Sequence, residues 1–166
     1  ELDELHMYDL YVPIVKDIEM KIPYSQAKEM VVEGLKPLGA DYQAILKEGY
    51  DNGWIDVMEN EGKTSGAYSW GAYSAHPYVL LNYQENMDNV FTLAHEMGHA
   101  IHTYLSNKTQ PYIKAEYKIF VAEVASTLNE ILLTEHLLST LEDPKLKAYI
   151  LNHYLEQFRG TVYRQT

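Results

Sequence analysis

The sequence contains no cysteine. Disulfides and thiol catalysis are thereby excluded, and any zinc site must be built from histidine and carboxylate. Basic residues are few: 13 Lys plus Arg against 24 Asp plus Glu, a formal net charge of −11. That balance argues against nucleic acid and against an anionic membrane surface as partners, because both need a basic footprint. No apolar run approaches the roughly 18 residues of a membrane-spanning helix. No charged-then-apolar signal segment opens the chain either, so a soluble, cytoplasmic protein is the expectation. What is present is a globular composition. Hydrophobic residues make up 46% of 166 positions, enough for one domain with a sizeable core. Neither Glu1 nor Thr166 falls at a boundary signal, so residues 1–166 read as one unit excerpted from a longer chain.

The most informative stretch is Phe91-Thr92-Leu93-Ala94-His95-Glu96-Met97-Gly98-His99-Ala100-Ile101-His102. It contains His-Glu-x-x-His, the helical spacing that brings two imidazoles to one zinc ion with a glutamate beside it. Residues four apart share a helix face, so His95 and His99 converge. Glu96 lies about 100° round from His95 and about 60° from His99, placed to meet a water rather than to be a third ligand. Helical phase separates a core stripe (Leu93, Ala94, Met97, Ala100, Ile101, Tyr104, Leu105) from a polar face with His95, His99, His102, Glu96, Thr92 and Thr103. That polar face has no Lys or Arg, which suits a cleft lining better than a solvated surface.

The rest of the chain predicts a predominantly α architecture with a small antiparallel β element, an α+β class. Residues 1–23 read as a helical turn followed by an extended piece, Leu10 to Val15, with Pro13 and Pro23 discouraging helix. Ser25 is a candidate N-cap for a helix to about Leu38, with Val31, Val32 and Leu35 facing inward. Asp41 is placed to cap a second helix to about Tyr50, closed by Asp51-Asn52-Gly53. Trp54 to Met58, the Gly62–Gly71 region and Tyr78 to Tyr83 read as two or three short strands. Residues 66–74, rich in Gly, Ser and Tyr, read either as a binding wall or as a mobile loop; Tyr68, Trp70 and Tyr73 favour the wall. Asp88 or Asn89 is positioned to cap the histidine helix, and a further helix is expected from about Ile113 to Leu138. Asp143-Pro144 is a strong start for the last helix.

A catalytic zinc takes three protein ligands. The 113–138 helix offers the third. Its phase predicts an apolar stripe of Phe120, Val121, Val124, Leu128, Ile131 and Leu132, with Glu123, Thr127, Glu130 and Thr134 on the other face. If the two helices run antiparallel, Glu123 stands level with His99, whereas Glu130 is about 10 Å further along. Glu130 reads equally as a partner for a histidine's other ring nitrogen or as a solvent-facing carboxylate. His102, about 10 Å from His95 along the axis, reads as cleft lining.

These segments resemble a known family. His95-Glu96-Met97-Gly98-His99, followed by Phe120-Val121-Ala122-Glu123-Val124-Ala125-Ser126-Thr127-Leu128-Asn129-Glu130, is similar to the zinc oligopeptidases of the thimet oligopeptidase and oligoendopeptidase F type, most of all bacterial oligoendopeptidase F. Gly66-Ala67-Tyr68-Ser69, Pro77 to Asn82 and Asp88 to Leu93 look like the same subfamily. The resemblance implies a zincin-like metallopeptidase core, one Zn2+ held by His95, His99 and Glu123, and Glu96 as general base in the cleavage of short peptides. It implies that the short strands align substrate and that the remainder of a longer polypeptide completes a channel. In that family a later His and Tyr segment supports the transition state, and this sequence has none; Tyr68, Tyr73 and His102 are the candidates within it.

Two rivals belong to other classes. A di-iron carboxylate bundle needs two Glu-x-x-His units, and only Glu96-Met97-Gly98-His99 is found. The other is a zinc-binding, catalytically incomplete peptide-binding module.

Overall fold

The computed structural model describes residues 4, 6–12, 14, 15, 18 and 20–165. A 3-10 turn, Met7–Tyr11, is followed by α1 (Tyr24–Gly34), a 3-10 turn (Lys36–Leu38) and α2 (Ala40–Asp51). Then come β1 (Ile55–Asp56), β2 (Tyr68–Trp70) and β3 (Tyr78–Leu80), and after them α3 (Met87–Thr109), α4 (Tyr112–Ala115), α5 (Ile119–Thr140) and α6 (Pro144–Phe158), with a π-helical turn at Arg159–Tyr163. The helical turn at 7–11 reaches into the piece expected to be extended, and Pro13 lies outside the described residues.

α3 is the centre of the fold. Val90, Leu93, Ala94, Met97, Ala100 and Ile101 are fully or almost fully buried, the stripe expected from phase, although Leu105 at its end is exposed. α1, α2, α5, α6 and the sheet surround it, and Val31, Leu35, Leu46, Trp54, Val79, Leu133 and Ile150 close the core. The strand order is β1-β3-β2. β2 is antiparallel to β3 (Ser69 opposite Val79), but β1 is parallel to it (Ile55 opposite Val79). The expected antiparallel element is therefore mixed. The 21 residues between β1 and β3 form a crossover long enough for parallel pairing, with β2 folding back on the outer edge. Lys63 is nearly buried within that crossover, donating to the carbonyls of Met58 (2.7 Å) and Asp56 (3.2 Å).

Several boundaries shift for local reasons. α1 begins at Tyr24 with Pro23 as N-cap, so Ser25 lies inside the first turn. Gly39, at φ 89°, caps α2, and Asp41 sits in its first turn, where a negative charge suits the helix dipole. α3 is capped by Asn86, whose side chain accepts from the Asn89 backbone N–H, so Asp88 and Asn89 lie within the helix. Asp143 caps α6 as expected, accepting from the Lys145 backbone N–H.

The expected 113–138 helix is broken. After α4 the chain is extended at Glu116 and Lys118 before α5 begins. Tyr117 explains the break: its ring stacks on His102 and its hydroxyl bonds Thr103, drawing the backbone toward α3. The face of α5 is also the reverse of that expected. Phe120 (79% exposed), Val121, Val124 and Leu128 point outward, while Ala122, Ser126, Asn129, Glu130, Leu133, Thr134 and Leu137 are buried. Small and polar side chains on the inner face allow the two helix backbones to meet, and its polar groups are satisfied there by hydrogen bonds.

Candidate metal centre

α3 and α5 run antiparallel. Ala94 pairs with Asn129, His95 with Glu130 and Gly98 with Ser126. Gly98 sets their separation: a Cβ there would lie 2.7 Å from Ser126 Cα and 2.9 Å from the Ala125 carbonyl oxygen, closer than any side chain tolerates. Asn129, 1% exposed, locks the register by donating to the Ala94 carbonyl (2.9 Å) while accepting from the Tyr42 hydroxyl of α2 (2.9 Å).

This packing brings His95, His99 and Glu123 together, and among the described residues they form the group of His, Asp and Glu side chains able to hold a metal. His95 Nε2 and His99 Nε2 are 3.1 Å apart, and Glu123 Oε2 lies 3.5 Å from the first and 3.6 Å from the second. Tetrahedral ligands about 2.0–2.1 Å from zinc stand roughly 3.3 Å from one another, so one ion fits the triangle without rearrangement. Converging lone pairs from two imidazoles and a carboxylate are a donor set that a cation satisfies.

Partners behind the triangle orient each ligand. His95 Nδ1 donates to Glu130 Oε1 at 2.5 Å, which leaves its Nε2 lone pair facing His99 and Glu123. The Ala122 backbone hydrogen-bonds His99, and the Ser126 hydroxyl donates to Glu123 Oε2 at 2.9 Å. Burial alone would lower the His95 pKa, but the Glu130 hydrogen bond and the charges of Glu130, Glu96 and Glu123 raise it. His99 is lowered by burial and by the neighbouring His95. Glu96, 6% exposed, is pushed up to about 7, first by burial and then by the Glu123 and Glu130 charges, against the pull of His95. Its Oε2 is buried without a hydrogen-bond partner.

Of the remaining sequence candidates, Glu130 touches the triangle through His95, and Tyr68, Tyr73 and His102 make other contacts. Glu130 is buried on His95 rather than facing solvent. Tyr73 donates its hydroxyl to the Gln110 carbonyl (2.8 Å), and Tyr68 is exposed on the edge strand. His102 stacks on Tyr117 with Nδ1 buried and unpartnered. Residues 66–74 are held against their neighbours: Asn82 donates to the Gly66 carbonyl, Asn107 to the Ala72 carbonyl, and Gly71 packs directly on Thr103. Between this segment and the second half of α3 lies an open cleft of about 880 Å³ lined by Trp70, Tyr73, Thr103, Asn107, Glu116 and Tyr117. Sequence reading missed Asn129 and Tyr42, since a lone Asn or Tyr at helical spacing carries no signal of its partner. Gly98, a poor helix former between two histidines, was the one visible clue to close approach.

The model for Peptidase family M3 matches residues 1–166. Oligopeptidase PepF of Bacillus subtilis is 60% identical over 166 residues, covering 100% of this chain and 25% of its own length. A solved chain from Chlamydophila abortus is 44% identical with a TM-score of 0.89, covering 99% of this chain and 27% of that one. The crystal structure of oligoendopeptidase-F from Enterococcus faecium is 37% identical with a TM-score of 0.57, covering 99% and 20%. The chain thus spans about a quarter of the length of the curated relatives it matches. No described helix is long and apolar enough to cross a membrane.

Proposed function

Because this chain belongs to peptidase family M3, we propose that it carries the metal centre of a zinc endopeptidase that hydrolyses short peptides. The ligands are His95, His99 and Glu123, and Glu96 is the general base. The observation that carries the reading is the triangle of 3.1, 3.5 and 3.6 Å among the three ligand atoms. Its two-imidazole, one-carboxylate donor set is that of catalytic zinc.

Bound there, zinc supplies Lewis-acid polarisation of a carbonyl oxygen and eases loss of a proton from water near neutral pH. The protein's own part is proton handling and orientation. Glu96 Oε2 has no internal partner, so it is free to accept the proton of the attacking water and return it to the leaving amine nitrogen. Burial raises the tendency of this carboxyl to hold a proton, which suits a group that must first accept one and then give it up. Glu130 keeps the His95 ring oriented, and Ser126 does the same for the Glu123 carboxylate. The exposed edge of β2 and the wall at 66–74 provide backbone against which an extended peptide can lie.

The experiment is Glu96→Gln in the full chain. It should keep one zinc and lose about 10²–10⁴-fold in kcat on a quenched fluorescent peptide. Turnover near that of the wild type would remove Glu96 from the chemistry.

One observation favours a narrower reading of the 166 residues alone. The Tyr73 hydroxyl is committed to Gln110, and the curated relatives are about four times longer. With Tyr73 committed, Tyr68 and His102 are the donor candidates left within these residues, and on this reading the remainder of the full polypeptide supplies the donor for the developing oxyanion and completes the peptide channel. On this reading the isolated 166 residues bind zinc but cleave the same peptide at least about 10²-fold more slowly than the full chain. Equal rates would show the piece to be catalytically complete.

A further inference from the structure

One face of α6 carries Tyr149, His153 and Gln157 at intervals of four, so all three point the same way. At one end, Tyr149 donates to Asp88 Oδ1 at 3.0 Å, and His153 Nδ1 meets the same oxygen at 3.2 Å while its ring stacks on Phe91. These contacts lie on the first turns of α3. About 12 Å further along α6, Gln157 Nε2 donates to Glu130 Oε2. The other oxygen of that carboxylate is the one that holds His95 Nδ1.

We infer that Gln157 is a positioning residue of the metal centre, acting through Glu130 on His95. The inference rests on the zinc site proposed above. The terminal torsion of a glutamate is broad, so one hydrogen bond does not fix the plane of its carboxylate. A second donor on the opposite oxygen does. With Glu130 clamped between His95 and Gln157, the imidazole is held with Nε2 aimed at His99 and Glu123. Glu130 is 8% exposed, so water is a poor substitute for the amide. A neutral amide also leaves the carboxylate its full charge, which a lysine or arginine in that place would compensate. The paired contacts at Asp88 set the height of α6, so that Gln157 arrives opposite Glu130. α6 is thus the back plate of the site, not only a lid on the core.

The test measures zinc affinity of the full chain by chelator competition for the wild type, Gln157→Met, Glu130→Ala and the double variant, with His95→Ala as control. Gln157→Met should weaken zinc about three- to tenfold, less than the effect of losing a direct partner of a ligand. It should have no further effect once Glu130 is alanine. Affinity within about 1.5-fold of the wild type would overturn the inference, as would equal weakening in both backgrounds, since the side chain would then not act through Glu130. Should Gln157→Met fail to fold, Gln157→Glu provides the same cycle with a carboxylate facing Glu130, and at least tenfold weakening is expected. Loss of the zinc site itself is separate: a wild type that binds zinc no better than His95→Ala contradicts the ligand assignment, not the role of Gln157.

Discussion

A methyl group at Gly98 would meet backbone, Ser126 Cα and the Ala125 carbonyl, rather than the end of a flexible side chain. Neither can move without displacing α5, which carries Glu123 and Glu130. Gly98→Ala is therefore expected to cost about 1–3 kcal/mol of stability, as overpacking does. It should also weaken zinc binding at least about tenfold by opening the triangle, on the proposed assignment of the ligands. A thermal melt and a zinc titration of the variant check both effects. Unchanged values would mean that the helices tolerate a wider spacing than the geometry allows. At this scale much was legible in the sequence. Spacing alone put His95 and His99 on one face, and helical rise put Glu123 level with them. It could not decide whether Glu130 faced solvent or histidine, because that depends on which side of α5 is buried.

The elements were less legible, and α5 shows why. Phase analysis assumes that the apolar side of a helix faces the core. Here Phe120, Val121, Val124 and Leu128 face outward, and Ala122, Ser126, Asn129 and Glu130 face α3. The helical period holds, but the apolar stripe from Phe120 to Leu128 lies on the outer side. Three contacts decide it, the Gly98 approach, the Asn129 bond to Ala94 and the Glu130 bond to His95, and none is visible from α5 alone. The break before α5 is similar, since the docking of Tyr117 on His102 overrides a helix-compatible sequence. Attachment of α6 to α3 gives a pH-dependent prediction. The hydrogen bond from His153 lowers the Asp88 pKa, opposed by burial and aided by Tyr149. A carboxyl with a depressed folded-state pKa stabilises the fold above its unfolded value of about 3.9, and that contribution fades as pH falls through the lower folded-state value. Its side chain is 62% exposed, so solvent screening limits the contribution to about 1 kcal/mol or less. Asp88→Asn should lower stability by that amount at pH 6–7, and the difference from the wild type should shrink toward zero in acid. A difference that failed to shrink as pH fell below about 4, in denaturant melts across pH, would contradict this.

Over the whole molecule, the helical body and short sheet followed from composition and periodicity, while the parallel pairing of β1 did not, because strand order depends on where the crossover returns. On the outward face of α5, Glu123 opens beside Ile119, Phe120 and Val124. Contiguous apolar surface beside a polar site suits a binding face more than a solvated one. The chain covers about a quarter of its curated relatives, so the proposed activity belongs to the full polypeptide. The measurement that bears most directly on the account is zinc content after exhaustive dialysis, compared between the wild-type full chain and Glu123→Ala. One zinc per wild-type chain and close to none in the variant is the predicted result. Full occupancy in Glu123→Ala, or none in the wild type, would contradict it.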